Sequence, residues 1–268
     1  MWVAAIQTNS TPDIEANLTR ARGLIAEAAR REARLVALPE HFACYGPEEA
    51  VAAAAQPLDG PLVTEFREMA GKLGIFLLLG SFPEQAGPGE RPYNTSVLIG
   101  PQGQILARYR KLHLFDVELP GVPPHRESSF TQPGSEVVTA ALPGTPWVAG
   151  LAVCYDLRFP ELFRTQVSRG ANLICLPAAF TLNTGRDHWE ALLKARAIEN
   201  LSYVVAPGQW GQHATGRRTY GRSMIIDPWG LTLAQAPDGE GVIYARLDFE
   251  RLERLRRELP CLEHRCLK

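Results

Sequence analysis

Trp147-Val148-Ala149-Gly150-Leu151-Ala152-Val153-Cys154-Tyr155-Asp156-Leu157-Arg158-Phe159-Pro160-Glu161-Leu162 is the most informative stretch of this 268-residue chain. Up to Val153 it is an apolar run of strand length, suited to a strand covered on both faces. Pro160 lacks a backbone N–H and has its φ pre-set, which suits the first turn of a helix. Cys154 therefore stands where a strand hands over to a helix. Backbone N–H groups and a helix N-terminus at such a place favour a thiolate and any oxyanion beside it. A buried small hydrophobe is the other reading of such a cysteine. It suits Cys175, inside Leu173-Ile174-Cys175-Leu176, far better; for Cys154 taken alone both readings stand.

The same alternation extends in both directions. The uncharged stretch from Val137 to Tyr155 is long enough to cross a membrane, but Pro143, Gly144, Pro146 and Gly150 divide it into two strands and a turn. Downstream, helices are expected from about Pro160 to Arg169 and from about Asp187 to Glu199. Strands are expected over Leu173–Leu176, Tyr203–Ala206, Ser223–Ile226 and Val242–Leu247. Upstream, the apolar run Trp2–Ile6 precedes a helix in which Ile14, Leu18, Ala21, Ile25 and Ala28 recur at helical spacing. Thr11 is the expected cap, with Pro12 first in the helix and Asp13 favourably placed against its dipole. A strand over Leu35–Leu38 ends at Pro39-Glu40. An amphipathic helix from about Leu62 to Leu73 leads into the buried strand Gly74–Gly80. Two further strands, Thr95–Ile99 and Gln104–Tyr109, flank the turn Pro101-Gln102-Gly103. No flexible linker or fixed-period repeat interrupts this order. The pattern predicts one α/β domain over residues 1–268, with a C-terminal helix and tail from about 248. With this many strands, two sheets packed face to face, helices outside, are more economical than one very wide sheet.

Composition narrows the function. The 28 Lys+Arg and 29 Asp+Glu leave a formal charge of −1, which attracts neither nucleic acid nor an anionic membrane. The opening Met1-Trp2-Val3-Ala4-Ala5-Ile6-Gln7-Thr8-Asn9-Ser10 carries no basic residue and reads as no signal peptide. Five cysteines, a sparse and odd number, fit reduced thiols in a cytoplasm. There is no phosphate-binding GxxxxGK[ST], no GxGxxG after a strand, no HExxH and no GxSxG. Cys261, His264 and Cys266 lack a fourth partner at metal-site spacing and read as incidental residues of the tail.

Three polar residues stand out beside Cys154. Glu40 follows a strand directly, at the carboxyl edge where open α/β sheets bind ligands, although a surface carboxylate would look the same. Lys111 follows Arg108 and Arg110 in a chain with 24 Arg and four Lys, so the cation type switches there to a compact ammonium able to serve one developing charge. Glu127, in a loop, is a weaker candidate. Among the imidazoles, His113 would share a strand face with Lys111 and is read as structural, and His188-Trp189 as opening a helix and packing. Asp156 and Arg158 are expected to form ion pairs that hold the turn after Cys154.

Taken in order, strand-Glu40, then Arg108-Tyr109-Arg110-Lys111-Leu112-His113-Leu114-Phe115-Asp116, then strand-Cys154-Tyr155-Asp156-Leu157-Arg158-Phe159-Pro160-Glu161-Leu162, the chain resembles the nitrilase-like carbon–nitrogen hydrolases. The likeness to their Nit-type amidase branch continues in His188-Trp189-Glu190, Ala195-Arg196-Ala197-Ile198-Glu199-Asn200, Tyr220-Gly221-Arg222-Ser223-Met224 and Asp227-Pro228-Trp229-Gly230. It spans Gln7 to about Leu247. The resemblance implies a four-layer αββα sandwich and a Glu-Lys-Cys triad on Glu40, Lys111 and Cys154, with Glu127 as auxiliary carboxylate. It implies a cysteine-dependent amidase that forms a thioester, releases ammonia and needs no metal, nucleotide or organic cofactor. Burial is expected to raise a Glu pKa toward the working pH. The oxyanion would rest on Lys111 and the Tyr155 N–H, Arg158 could take a substrate carboxylate, and Phe180 and Thr181 would line the pocket. The implied substrate is a small carboxylate-bearing amide, deaminated glutathione or an α-keto-acid ω-amide, and the implied assembly is a homodimer or higher even-numbered oligomer. A nitrilase or N-carbamoyl amidase of the same superfamily, or a non-catalytic interaction protein keeping the fold, are the alternatives. The chain departs from the branch at His41-Phe42-Ala43-Cys44-Tyr45 and at Ala206-Pro207-Gly208-Gln209-Trp210-Gly211-Gln212-His213.

Overall fold

Strands whose successive residues face two different apolar layers build this protein. The computed structural model describes residues 1–118 and 125–267. Its first half runs β1 (Trp2–Gln7), α1 (Ile14–Arg30), β2 (Leu35–Ala37), α2 (Glu48–Ala53), α3 (Pro61–Leu73), β3 (Phe76–Glu84), β4 (Tyr93–Ile99) and β5 (Ile105–Arg110). Parallel pairing puts Val3 beside Leu35 and Leu35 beside Phe76. With this register Val3, Ala5, Leu35, Ala37, Phe76 and Leu78 share one face, and Ala4, Ile6, Val36, Leu38, Leu77 and Leu79 share the other. The second face packs on Leu18, Ala21 and Ile25 of α1 and Val63, Phe66 and Ala70 of α3. Each large aliphatic or aromatic side chain removed from water here is worth about 1.5–3 kcal/mol before entropy is counted.

The chain continues with the short ladder β6 (Asp116–Val117) and β7 (His125–Arg126), then β8 (Thr139–Ala141), β9 (Val148–Leu151), α4 (Pro160–Ser168), β10 (Leu173–Cys175), α5 (Leu182–Thr184) and α6 (Glu190–Asn200). It closes with β11 (Tyr203–Ala206), the hairpin β12 (Trp210–Gln212) and β13 (Arg218–Tyr220), then β14 (Met224–Ile226), β15 (Thr232–Gln235), β16 (Gly241–Arg246) and α7 (Phe249–Glu258). Two six-stranded mixed sheets result, ordered β16-β1-β2-β3-β4-β5 and β15-β14-β11-β10-β9-β8. The first face of the first sheet meets the second sheet in one continuous apolar cluster, which also takes in Leu162 and Phe163 of α4 and Trp189, Leu193 and Ala197 from the α6 region. The layers are therefore helix, sheet, sheet, helix, the αββα sandwich that the sequence implied.

Local differences have local causes. Helix α1 is capped by Asp13, whose Oδ1 accepts from the Ala16 N–H at 3.0 Å, and not by Thr11. Thr11 acts two residues outside the helix cap, its Oγ1 accepting from the Asp13 N–H at 3.2 Å, and Pro12 precedes the cap instead of opening the helix. Strand β3 continues past Gly80 because an irregularity between Leu79 and Phe82 lets pairing with β4 resume. The helix expected from Asp187 begins with a wide turn over Gly185–Trp189. The β6–β7 and β12–β13 ladders are only two or three residues to a strand, too short to carry an alternating apolar signal.

Candidate active site

The Leu38-Pro39 carbonyls pass so close to β3 that a Cβ on Gly80 would lie 1.8 Å from the Pro39 oxygen, a clash no side chain could relieve. Glu40 emerges from this contact with its side chain buried at the ends of the parallel strands. Its carboxylate accepts three hydrogen bonds, which leaves acceptor capacity on Oε2. Oε1 accepts from Lys111 Nζ at 3.0 Å and Asn94 Nδ2 at 2.9 Å, and Oε2 from the Ala179 N–H at 2.7 Å. The Glu40 carbonyl accepts from Gln209 Nε2 at 2.9 Å, which ties β2's end to the loop after β11.

Lys111 follows β5 and is 2% exposed. Its ammonium also reaches Glu127, at 2.8 Å to Oε2 and 3.1 Å to Oε1. Glu127 is held in turn by the Phe115 N–H at 2.7 Å and Asn94 Nδ2 at 3.3 Å. One cation between two carboxylates satisfies the rule that buried charges are paired.

Cys154 borders the same cavity. Its φ of 49° lies in the left-handed region, rare for a residue with a Cβ and costing on the order of 1–3 kcal/mol. The strain is held by β9 and by a bond from the Cys154 N–H to the Pro177 carbonyl at 2.9 Å. His41, beside Glu40, has a φ of 57°. Two strained residues at one cavity are what a built site looks like, because the surrounding fold must over-determine them.

Electrostatics corrects two expectations. Burial alone would raise the Glu40 carboxyl, but the charges of Lys111 and then His41 outweigh it, so Glu40 is held below the ordinary carboxylate range instead of being raised. Burial would likewise lower Lys111, and Glu127 and Glu40 reverse this to hold it well above its usual value. For Cys154, burial and then the Glu40 charge push the thiol well up, against Lys111 and the Ala179 N–H. The resting cysteine is a neutral thiol, not a thiolate. A 3₁₀ turn over Cys154–Arg158 separates it from the N-terminus of α4, so the nearby carboxylate dominates.

That turn is organised by Asp156, but not through Arg158. Asp156 is fully buried and accepts from Tyr109 Oη at 2.6 Å, the Val153 N–H at 2.8 Å and the His113 N–H at 3.1 Å, with His113 Nδ1 at 2.7 Å. His113 lies flat on Phe159, its ring centroid 3.7 Å away. Arg158 forms no ion pair among the described residues. Its guanidinium lies 5.2 Å from the Phe180 ring centroid and 3.3 Å from His188 Nδ1.

A cavity of about 730 Å³ opens above Cys154, within the size range of small-molecule sites. Glu40, Lys111, Cys154 and Glu127 form its floor, and Tyr155, Phe180 and Thr181 also line it. Arg158 is not brought into its wall. Sequence reading missed Asn94, which bridges both carboxylates, and the wall residues His41, Tyr45, Phe115, His125 and Arg217. The departures after Glu40 gave a signal for His41 and Tyr45. Asn94 gave none, standing one residue before the expected strand. Among the described residues no group of His, Cys, Asp or Glu is arranged to hold a metal ion, and no helix is long and apolar enough to cross a membrane.

A sequence profile described as carbon-nitrogen hydrolase matches residues 2–257. Deaminated glutathione amidase from Synechocystis sp. is 43% identical over 263 residues, which cover 98% of this chain and 97% of the relative. Omega-amidase NIT2 from Homo sapiens is 37% identical over 265 residues, covering 96% and 92%. The crystal structure of the C. elegans NitFhit protein matches with a TM-score of 0.90 at 39% identity, over 99% of this chain and 65% of that longer one.

Proposed function

The chain belongs to the carbon–nitrogen hydrolase family, a hydrolase of non-peptide C–N bonds acting on a small-molecule amide, and we propose that Cys154 is its nucleophile, Glu40 its base and Lys111 its oxyanion-binding cation. The observation that carries this reading is the buried Glu40–Lys111–Glu127 cluster at the foot of a cavity that also holds a strained, neutral Cys154 thiol. A surface ion pair would explain the charges but not their burial.

As Cys154 Sγ attacks the amide carbon, its proton passes to Glu40 and the C=O electron pair moves onto oxygen. Lys111 and the Tyr155 N–H, which has no acceptor among the described residues, receive that oxyanion. As Lys111 turns toward the new negative charge its hold on Glu40 weakens, which makes Glu40 a stronger base when the proton arrives. The intermediate collapses, the C–N bond breaks, and Glu40 returns the proton to the departing nitrogen. Water, deprotonated by Glu40, cleaves the thioester, and the proton restores the thiol. Glu127 keeps Lys111 charged and aimed. Asp156 positions the turn carrying the Tyr155 N–H.

The names of the relatives support an acyl group with a carboxylate at its far end: deaminated glutathione or the ω-amide of an α-keto acid. Deaminated glutathione and the five-carbon ω-amide release the same α-keto diacid. The leaving nitrogen is ammonia from a primary ω-amide and the amine of a dipeptide from deaminated glutathione. The assay is diacid formation from these two amides, with a nitrile and an N-carbamoyl amino acid alongside. Turnover of either amide with the other pair inert is the expected result; turnover of only the nitrile or the carbamoyl compound would overturn the substrate class. Wild-type silence across the panel would leave the family standing and turn the question to another acyl group or to the non-catalytic alternative. The free thiols support a reducing, cytoplasmic setting. Exposed Ile198, Trp229 and Leu231, brought together where the β14–β15 turn meets α6, support an even-numbered homo-oligomer, and light scattering at twice the 29.5 kDa chain mass tests a dimer.

A further inference from the structure

A carboxylate-bearing substrate needs a cation that the chemistry does not already use. Lys111 is committed to Glu40 and Glu127, and Arg158, stacked on Phe180, does not line the cavity. The remaining arginines in the wall are Arg217 and Arg218, in the β12–β13 hairpin. Arg217 belongs to its turn, which is closed by a bond from the His213 N–H to the Arg217 carbonyl at 2.8 Å.

From that turn Arg217 reaches across the cavity to His125, placing Nη2 2.6 Å from His125 Nδ1 and Nη1 3.3 Å from His125 Nε2. Burial, and after it the charge of Arg217, pull His125 down to about 4, so the imidazole is neutral near pH 7. A neutral imidazole has one acceptor nitrogen and one N–H. One of the two contacts therefore sets donor against donor, and with the Tyr45 hydroxyl as a further neighbour the guanidinium's five N–H groups still outnumber the acceptors around them. Convergent donors with too few acceptors describe an anion site. Among the described residues Arg217 has no carboxylate partner, and residues 119–124, Leu-Pro-Gly-Val-Pro-Pro, contain none.

We infer that Arg217, oriented by His125, is the binding residue for the substrate's far carboxylate and sets the enzyme's preference for anionic over neutral amides. This rests on the proposed carboxylate-bearing substrate. The planar guanidinium offers the carboxylate a two-point grip that fixes the distance from the anion to the scissile carbonyl.

The test compares glutaramate, the monoamide of glutaric acid, with its neutral methyl ester as substrates of wild type, Arg217→Gln and Arg217→Lys. Wild type is expected to favour glutaramate in kcat/KM by about 10- to 100-fold, the value of a charge-assisted hydrogen-bond pair. Arg217→Gln is expected to lose that preference through a raised KM for glutaramate, with its folding checked separately by a cooperative thermal melt near the wild-type midpoint. Arg217→Lys keeps part of the preference. Undiminished preference in Arg217→Gln, or equal loss on both substrates, overturns the assignment and leaves the carboxylate-bearing class standing. Absence of any preference in wild type overturns that class, and the assignment with it.

Discussion

Among single side chains, Lys111 has the largest structural stake, because two buried carboxylates depend on it. Lys111→Met is predicted to cost about 3–5 kcal/mol in urea denaturation, since it strands Glu40 and Glu127 without their cation. Glu127→Gln, which leaves one carboxylate on the ammonium, should cost less. The pH response follows from the shifts. Glu40 is lowered in the fold, so its contribution is complete above the ordinary glutamate value of 4.5 and fades as pH falls through its lower folded value. Lys111 is raised, so its contribution is complete below 10.5 and fades only as pH rises through its higher folded value. A thermal melting profile across pH should therefore be flat for this cluster between those limits, and the acid limb of kcat/KM should lie below pH 4.5. An acid limb near neutrality would show a raised Glu40 instead. That Glu40, Lys111 and Cys154 meet at one cavity was legible because residue type, neighbouring strand and chain order agreed. Their charge states were not, since these depend on who faces whom across roughly 70 to 140 residues of sequence.

Among elements, the informative ones are those that deliver a side chain to the cavity. Gly80 is a bystander in sequence and a hinge of the site in space, because Leu38 and Pro39 need the room a Cβ would take. Gly80→Ala is predicted to cost about 1–3 kcal/mol in thermal or chemical denaturation and to lower kcat further by moving Glu40; wild-type activity in that variant would show that the approach of β2's end to β3 is not needed. Asp156→Asn should leave the sandwich intact, cost about 1–3 kcal/mol in denaturation, and reduce kcat more than it raises KM. Long periodic segments such as α1 and α3 were readable from apolar spacing, with an error of a residue or two at α1's cap. The β6–β7 ladder and the β12–β13 hairpin were not, because strands of two or three residues have no period to detect. Those unreadable elements carry His125 and Arg217, so the wall of the cavity was harder to read than its floor.

In the molecule as a unit, the site lies where the two sheets present the same end. Glu40 follows β2, Cys154 follows β9, Ala179 follows β10 and Gln209 follows β11, all parallel strands leaving their sheets at the carboxyl edge, where α/β folds bind ligands. The packing of the sheets was legible in the number of strands. The path of Arg158 was not. Its place in the motif pointed toward the substrate, but Phe180 and His188 occupy it. What the sandwich supplies to the proposed chemistry is burial, which would keep water from weakening the attraction between Lys111 and a new oxyanion. The proposed covalent route through Cys154 is tested by the steady-state rate of Cys154→Ala on whichever amide the wild type hydrolyses, at equal folded concentration. A fall of at least about 10⁴-fold, to the level left by binding and oxyanion contacts alone, is predicted. A variant that keeps more than about one tenth of the wild-type rate would contradict the account and remove the thioester from it.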